Sequence, residues 1–348
     1  MPENSALWLR SPGGAMHVAT APYSAPAEGE VVVRARAVAI NVIDVMPGIA
    51  RRLLLPWLQY PVVLGSDVAG EVVEVGPNET RLAVGDRVIG HATGLEKSDA
   101  AAKGGAFQLY VVLKSHMTSP IPSTLGFEQA SVLPLGVSTA ASGLFQQDHL
   151  GLALPVVGAE QRAETVVVWG GSTSVGANAI QLAVNAGYRV VATASRRNFD
   201  FVTGLGATGA VDYHDRDAVD QLAAMIGDEP VAGVMAIGVG SLKPTIELAG
   251  RLEGTRRVTA AQPGFLVAMQ RRRAARVGVA VSAIWGGSLK DNEVGPAIYA
   301  DFLPAGLRTG SYHAAPDPLV VGEGLEQIPE AMQRLSKGVS AAKVVVTL

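Results

Sequence analysis

The chain has 348 residues, with 28 Lys and Arg against 31 Asp and Glu; that length suits roughly two domains of ~150 residues each. With 48% hydrophobic residues and a net charge of -3, it can bury a sizeable core and gives no electrostatic reason to bind nucleic acid or an anionic membrane. It contains no cysteine, which excludes disulfides and any thiolate-ligated zinc.

Glu3 stands near the start, no apolar leader follows it, and no uninterrupted apolar run of ~20 residues occurs. The expectation is a soluble, cytoplasmic protein.

Residues 1–130 read as β-rich. Glu30 to Ile40 has a strand pattern, and Val62-Val63-Leu64 leads into Gly65-Ser66-Asp67-Val68-Ala69-Gly70-Glu71-Val72-Val73-Glu74-Val75-Gly76. The glycines in that segment predict a bent or bulged strand. Val84 to Gly90 is a further short strand, 91–106 reads as a loop, and Phe107 to Val112 is a strand. Short strands between glycine-rich turns predict a compact, partly closed sheet.

The pattern changes near Pro134. Glu128 to Leu133 and Ser138 to Leu144 are helical, and from residue 165 strands and helices alternate. Strands are predicted at 165–169, Tyr188 to Ala194, Ala210 to Asp212, Val231 to Ile237, Arg256 to Ala260 and Arg276 to Ala283. The helices between them are Asn198 to Leu205, Asp217 to Ile226 and Leu242 to Ala249, with another at the helical spacing that follows Gly176. This order predicts a parallel sheet with right-handed crossovers. A last helix, Leu325 to Leu335, and a closing strand, Lys343 to Leu348, are expected to rejoin the N-terminal domain.

The most informative stretch is Thr165-Val166-Val167-Val168-Trp169-Gly170-Gly171-Ser172-Thr173-Ser174-Val175-Gly176. A β-branched run, a glycine turn and a helix in succession are the start of a dinucleotide-binding βαβ unit. Aligned on its last glycine, the GxGxxG fingerprint has Gly171 first and Gly176 third, with Thr173 where the middle glycine belongs. The hydroxyls of Ser172, Thr173 and Ser174 either donate to a pyrophosphate or act as N-caps; helix N–H groups, Val175 included, supply the rest.

Several motifs, in order, resemble the medium-chain dehydrogenase/reductase superfamily across essentially the whole chain. They are Gly65 to Gly70 before a Val-Val-Glu-Val-Gly strand, Val84-Gly85-Asp86-Arg87-Val88, Gly104-Gly105-Ala106-Phe107, Ala130 to Gly136 and Lys343-Val344-Val345-Val346. Trp169 to Gly176 and Ala194 to Phe199 look like the zinc-independent branch, which holds quinone oxidoreductases and trans-acting enoyl reductases. The resemblance implies an α/β fold: a GroES-like β-rich catalytic domain (1–132 and 314–348) and a Rossmann doubly wound parallel-sheet NADP-binding domain (133–313). Hydride transfer from a nicotinamide is implied in the cleft between them. It leaves open whether the chain is a monomer or a homodimer through the Rossmann sheet edge.

Zinc enzymes of this superfamily carry Cys near the position of Asn41 and Gly-His-Glu where this chain has Gly65-Ser66-Asp67. A catalytic zinc needs about three protein ligands, and the six histidines (His17, His91, His116, His149, His214, His313) have no ligand spacing. No metal is expected.

An NAD site places Asp or Glu about 20 residues after the first glycine, where an NADP site offers Arg. Here Thr193-Ala194-Ser195-Arg196-Arg197 contains no carboxylate. Ser195, Arg196 and Arg197 suit a 2′-phosphate, unless the arginines are simply solvated at a helix start. The resemblance adds Tyr213 to that phosphate site, Ile237 and Gly238 beside the nicotinamide, and Lys343 to the cofactor contacts. NADPH is the expected cofactor.

With no zinc, hydrogen bonds must polarise the acceptor carbonyl. Asn41 and Asp44 match the Asn-x-x-Asp element of zinc-free relatives, and Thr139 matches a threonine that faces the nicotinamide. The alternatives are a turn residue for Asn41 and a helix-interior residue bonding back to a carbonyl for Thr139. Phe265, Leu266 and Trp285 are acceptor-pocket candidates, with core packing favoured for Trp285. Met46 to Ala50 lacks the tyrosine that some enoyl-thioester reductases use as proton donor, and Tyr60 lies too far along to match. Arg51-Arg52 and Arg271-Arg272-Arg273 either attract the phosphates of a carrier-bound or CoA-bound acyl group or are exposed basic helix residues, the favoured reading. The resulting expectation is an NADPH-dependent reductase of an enone, enoyl thioester or quinone, a small-molecule substrate in each case. A cofactor-holding scaffold without turnover, crystallin-like, is the alternative.

Overall fold

The computed structural model describes residues 2–99 and 101–348. They form two units, one of residues 2–99, 101–135, 299–308 and 317–348, the other of residues 136–298 and 309–316.

The first unit begins with a hairpin absent from the sequence reading, β1 (Asn4–Leu9) and β2 (Met16–Ala21), joined through Ser11-Pro12-Gly13-Gly14. Then come β3 (Glu30–Ala39), the helix Gly48–Leu54, β4 (Val62–Val63), β5 (Asp67–Val75) and β6 (Arg87–His91). After these follow β7 (Tyr110–Lys114), β8 (Thr118–Pro120) and the short helix Phe127–Ala130. The expected loop at 91–106 contains a short helix, Ala101–Gly104; Ala100 lies outside the described residues. The long strand β3 pairs with β5 along its length and with β7 over its first half. Two register shifts in the β3–β5 pairing bear out the expected bulges, which increase the local twist and bend the sheet.

The helix Pro134–Phe145 leads into the second unit. Its strands are β9 (Thr165–Trp169), β10 (Arg189–Thr193), β11 (Gly209–Val211), β12 (Val231–Ile237), β13 (Arg257–Ala261) and β14 (Ala280–Ala283). All pairings are parallel and the order is β11-β10-β9-β12-β13-β14. This is the doubly wound Rossmann order, with its topological switch between β9 and β12. Helices Ser174–Asn185, Phe199–Gly204, Ala218–Ile226, Leu242–Arg251 and Gly264–Arg276 connect successive strands. The expected strand Arg276 to Ala283 is borne out at its end, as β14, while Arg276 itself closes the helix Gly264–Arg276. Its buried contacts are only Val267 and Ala274, too sparse an apolar stripe to reveal the helix from spacing.

The chain then returns to the first unit through β15 (Asp317–Glu323), the helix Ile328–Ser336 and β16 (Ala342–Thr347). β16 runs parallel to β15 and antiparallel to the end of β3, as expected of the closing strand. No helix among the described residues is long and apolar enough to cross a membrane.

The helix Ser174–Asn185 buries polar side chains as well as apolar ones. Gln181 Nε2 donates to the His313 carbonyl at 3.1 Å and Gln181 Oε1 accepts from the His313 N–H at 2.8 Å. Asn185 Nδ2 donates to the Ser311 carbonyl at 2.9 Å, and the buried Tyr312 hydroxyl donates to Asn178 Oδ1. The helix thus satisfies the backbone of an irregular segment that has no ladder of its own. Gln181→Leu keeps side-chain size but strips both partners from His313. It should lower unfolding free energy by about 2–4 kcal/mol in urea titrations, against under 1 kcal/mol if the contacts were incidental.

Candidate active site

The first unit gathers a buried polar cluster around Asn41, at the end of β3. Asn41 Nδ2 donates to Asp67 Oδ2 at 2.8 Å, and Lys343 Nζ donates to Asn41 Oδ1. Lys343 Nζ also lies 2.9 Å from Asp67 Oδ2, and Asp67, fully buried, accepts from the Leu135 N–H through Oδ1. Lys343, expected among the cofactor contacts, therefore has its ammonium in a buried ion pair. Asp67, at the start of β5, was not among the expected site residues. Its signal was its place in Gly65-Ser66-Asp67, where zinc enzymes of the superfamily carry Gly-His-Glu.

Asn41 also shapes the neighbouring carboxylate. Its backbone N–H donates to Asp44 Oδ2 at 2.8 Å, while Asp44 Oδ1 is buried with no hydrogen bond among the described residues. Burial pushes the Asp44 carboxyl up to about 7, and the nearby Asp67 charge adds to the shift. Arg51 is not an exposed helix residue: it is buried and its guanidinium donates to the Asp44 carbonyl at 2.8 Å. His91, register partner of Asp67, is buried too, and burial lowers its imidazole to about 4. Tyr60 is half-buried, with its hydroxyl shut off from any partner.

In the second unit the glycine turn follows β9 at the switch point. Gly170, with φ of 90°, takes the left-handed turn position immediately after the strand. Gly171 instead donates its N–H to the Thr193 carbonyl at 2.8 Å, so the tight-turn role shifts one residue from the fingerprint alignment. At Gly176 a Cβ would lie 2.2 Å from the Gly170 carbonyl oxygen, so only glycine lets the helix start this close to the strand end. Thr173 caps the helix: its hydroxyl accepts from the Gly176 N–H at 3.0 Å and donates to the Gly170 carbonyl at 2.8 Å. Its one proton is thereby committed, which favours the capping role over donation to a phosphate. Ser174 Oγ, by contrast, is buried with no partner among the described residues, and Ser172 and Val175 are half-buried beside it.

The segment after β10 places Ser195, Arg196 and Arg197 together. Ser195 Oγ accepts from Asn198 Nδ2 at 3.2 Å. Arg196 is bound by acids: Nη2 reaches Asp215 Oδ1 at 3.0 Å and Oδ2 at 2.8 Å. Arg197 is exposed and has no hydrogen bond or ion pair among the described residues. Tyr213 is exposed and packs on His214, ring centroids 4.1 Å apart. Ile237 ends β12 buried, and Gly238, with φ of 89°, turns the chain beyond it; its carbonyl accepts from Ser241 Oγ and Gln262 Nε2.

Thr139 is half-buried on the helix Pro134–Phe145, and a Cβ at Gly286 would stand 2.7 Å from its Oγ1. No bond from that hydroxyl back to a helix carbonyl is present among the described residues. Trp285 is 39% exposed rather than core, and Phe265 and Leu266 are exposed as well. Arg271, Arg272 and Arg273 are exposed helix residues.

Residues 27–123 match the family model of the alcohol dehydrogenase GroES-like domain. The chain is 42% identical over 369 residues to the dehydrogenase pigH of Monascus ruber, covering 100% of both chains. It is 40% identical over 295 residues to the trans-enoyl reductase himH of Aspergillus japonicus, covering 84% of this chain and 82% of that one. A quinone oxidoreductase from Coxiella burnetii has the same fold, with a TM-score of 0.73 at 22% identity and 100% coverage of both chains. Full-length identity to such enzymes, the bulged sheet and the Rossmann strand order agree: the chain belongs to the medium-chain dehydrogenase/reductase superfamily of oxidoreductases.

Proposed function

We propose that this protein is a zinc-independent, NADPH-dependent reductase that delivers a hydride to an activated C=C bond, of an enone or enoyl thioester, or to a quinone. The observation that carries the reading is the glycine turn at the switch point, with the unpartnered Ser174 Oγ inside it and the unpaired Arg197 after β10. These groups fit a phosphorylated dinucleotide. Gly170, Gly171, Ser172, Ser174, Val175 and Gly176 would hold the pyrophosphate at the helix N-terminus, and Ser195 and Arg197, with Tyr213, would hold the 2′-phosphate. Ile237 and Gly238 would border the nicotinamide. When bound, that cofactor supplies the hydride. The likeness to a trans-enoyl reductase supports the C=C acceptor.

The residues of the first unit suit hydrogen-bond catalysis. Asn41 gives one amide N–H to Asp67 and its oxygen to Lys343, which fixes the amide plane and leaves the second N–H to polarise an acceptor carbonyl. Lys343 acts through Asn41. Asp44 is poised to hold or release a proton near neutrality, and Thr139 would face the nicotinamide. Metal independence is supported by the chemistry of the cluster. Ser66 offers no histidine-like ligand, thiolates are absent, and the described residues contain no group of three or more His, Asp or Glu arranged to hold a metal.

Oxidation of NADPH against 1,4-naphthoquinone, a 2-enone, crotonyl-CoA and an aldehyde tests the reading. Turnover of a quinone or conjugated alkene is expected. Turnover of the aldehyde alone would sink the zinc-free assignment, and tight NADPH binding without any turnover would favour a scaffold. Arg197→Ala should raise KM for NADPH about tenfold, the worth of one charge-assisted phosphate contact, with KM for NADH changed less than twofold. Equal effects on both cofactors would remove Arg197 from the 2′-phosphate site.

Asp44 also gives a pH signature. Its folded-state pKa is raised to about 7, so the folded chain holds the proton more tightly than the unfolded one. That contribution is fully present below the ordinary carboxylate range and is lost as pH rises through about 7. His91, lowered to about 4, acts oppositely as pH falls below its ordinary range, so the comparison must be between variants. The melting temperature of the wild type minus that of Asp44→Asn should fall steadily from acidic pH to pH about 8. A difference independent of pH would show that Asp44 ionises normally.

A further inference from the structure

Arg196 and Arg197 are neighbours in sequence but differ in electrostatic surroundings. The Arg196 side chain is 70% exposed and still held by acids, with Nη2 on both oxygens of Asp215 and Nε 3.5 Å from Asp212 Oδ2. Both acids are fixed in place. Asp212 Oδ1 accepts from the His214 backbone N–H at 3.0 Å and faces His214 Nδ1 at 2.8 Å. The His214 N–H holds the Asp212 carboxyl below its usual range, which keeps it charged. Asp215 Oδ2 accepts from Gln221 Nε2 at 3.3 Å, and its side chain is only 26% exposed. Arg197 has no such partner among the described residues.

We propose that Asp215 is a specificity-determining residue: it holds Nη2 of Arg196 and offsets its charge, and so weakens recognition of a 2′-phosphate, leaving Arg197 as its principal cationic ligand. The inference rests on the NADPH reading above. Two arginines in sequence suggest two positive charges, but Asp212 and Asp215 cancel them. An incoming phosphate carries roughly two negative charges. It meets a cluster close to neutral, and it must displace the carboxylate on Nη2 to gain the two-nitrogen geometry that makes Arg a strong phosphate ligand. Removing the Asp215 charge frees Nη2 and removes a repulsion at once. The exposure of Arg196 keeps the effect moderate and sensitive to salt.

The test is calorimetric titration of the full-length protein with 2′,5′-ADP and with 5′-AMP, which isolate the 2′-phosphate without turnover. Asp215→Asn should tighten 2′,5′-ADP by about three- to tenfold, as expected for one exposed charge at contact distance, and leave 5′-AMP within about twofold. The gain should vanish in an Arg196→Ala background, since the coupling runs through that guanidinium. Asp215→Ser removes the same charge with a different side chain, so a local defect of the Asn variant cannot decide the result. Unchanged or weaker 2′,5′-ADP binding in both variants would overturn the proposal, because Asp215 would then be orienting Arg196 rather than occupying it. A gain that persists without Arg196 would overturn it also. Wild-type protein that binds both nucleotides equally, with Arg197→Ala silent, would bring down the NADPH reading and this inference together. A tight, Arg197-dependent 2′,5′-ADP complex that ignores Asp215 removes this inference alone.

Discussion

The first unit depends on one buried ion pair, Asp67 with Lys343. Asp67 opens β5 and Lys343 stands in the last strand, so this contact of 2.9 Å adds a buried side-chain tie to the backbone pairing of β16 with β3. A charge at either position would be prohibitively costly without the other; breaking such a pair typically costs about 3–5 kcal/mol. Asn41 completes the arrangement by donating to the acid and accepting from the base, 302 residues away in sequence from the latter. The contacts that tie β5 to the last strand therefore also set the orientation of the amide proposed to act on the acceptor.

A comparable economy governs the second unit. Close approach of the helix at Gly176 to the Gly170 carbonyl brings the helix N-terminus to the end of β9, and Thr173 satisfies the turn from within. With Thr173 committed, Ser174 Oγ is left buried without a partner among the described residues. The helix is anchored further along by Asn178, Gln181 and Asn185, whose amides take up groups of the 311–313 segment. A phosphate-binding terminus gains from such anchoring, because donors fixed in advance need not be ordered when the ligand arrives.

Electrostatics divides residues that sequence treats as equivalent. Arg51 and Arg52 are adjacent, yet Arg51 is buried against the Asp44 carbonyl while Arg52 is exposed. Arg196 and Arg197 are adjacent, yet one is held by two acids and the other is unpaired. Arg51 turns back onto its own segment, seven residues away, whereas Arg196 meets acids that the strand order brings alongside. Asp215 approaches Arg196 because β11 lies next to β10.

Alternating strands and helices after residue 165, the glycine turn and the missing zinc ligands were legible in the sequence, because each depends on local spacing or on residue type alone. The helix Gly264–Arg276 was not, since its apolar face is just two buried residues, and the β1–β2 hairpin was not read at all. The Asn41 and Asp44 pair could be named from a motif, but its partners Asp67 and Lys343 and the burial that raises Asp44 could not. Sequence by itself determined the architecture and the kind of cofactor the second unit is built to take, through periodicity and turn chemistry. Only the tertiary structure decided which hydroxyl and which guanidinium remain unpaired, because pairing is settled by neighbours that local sequence does not contain.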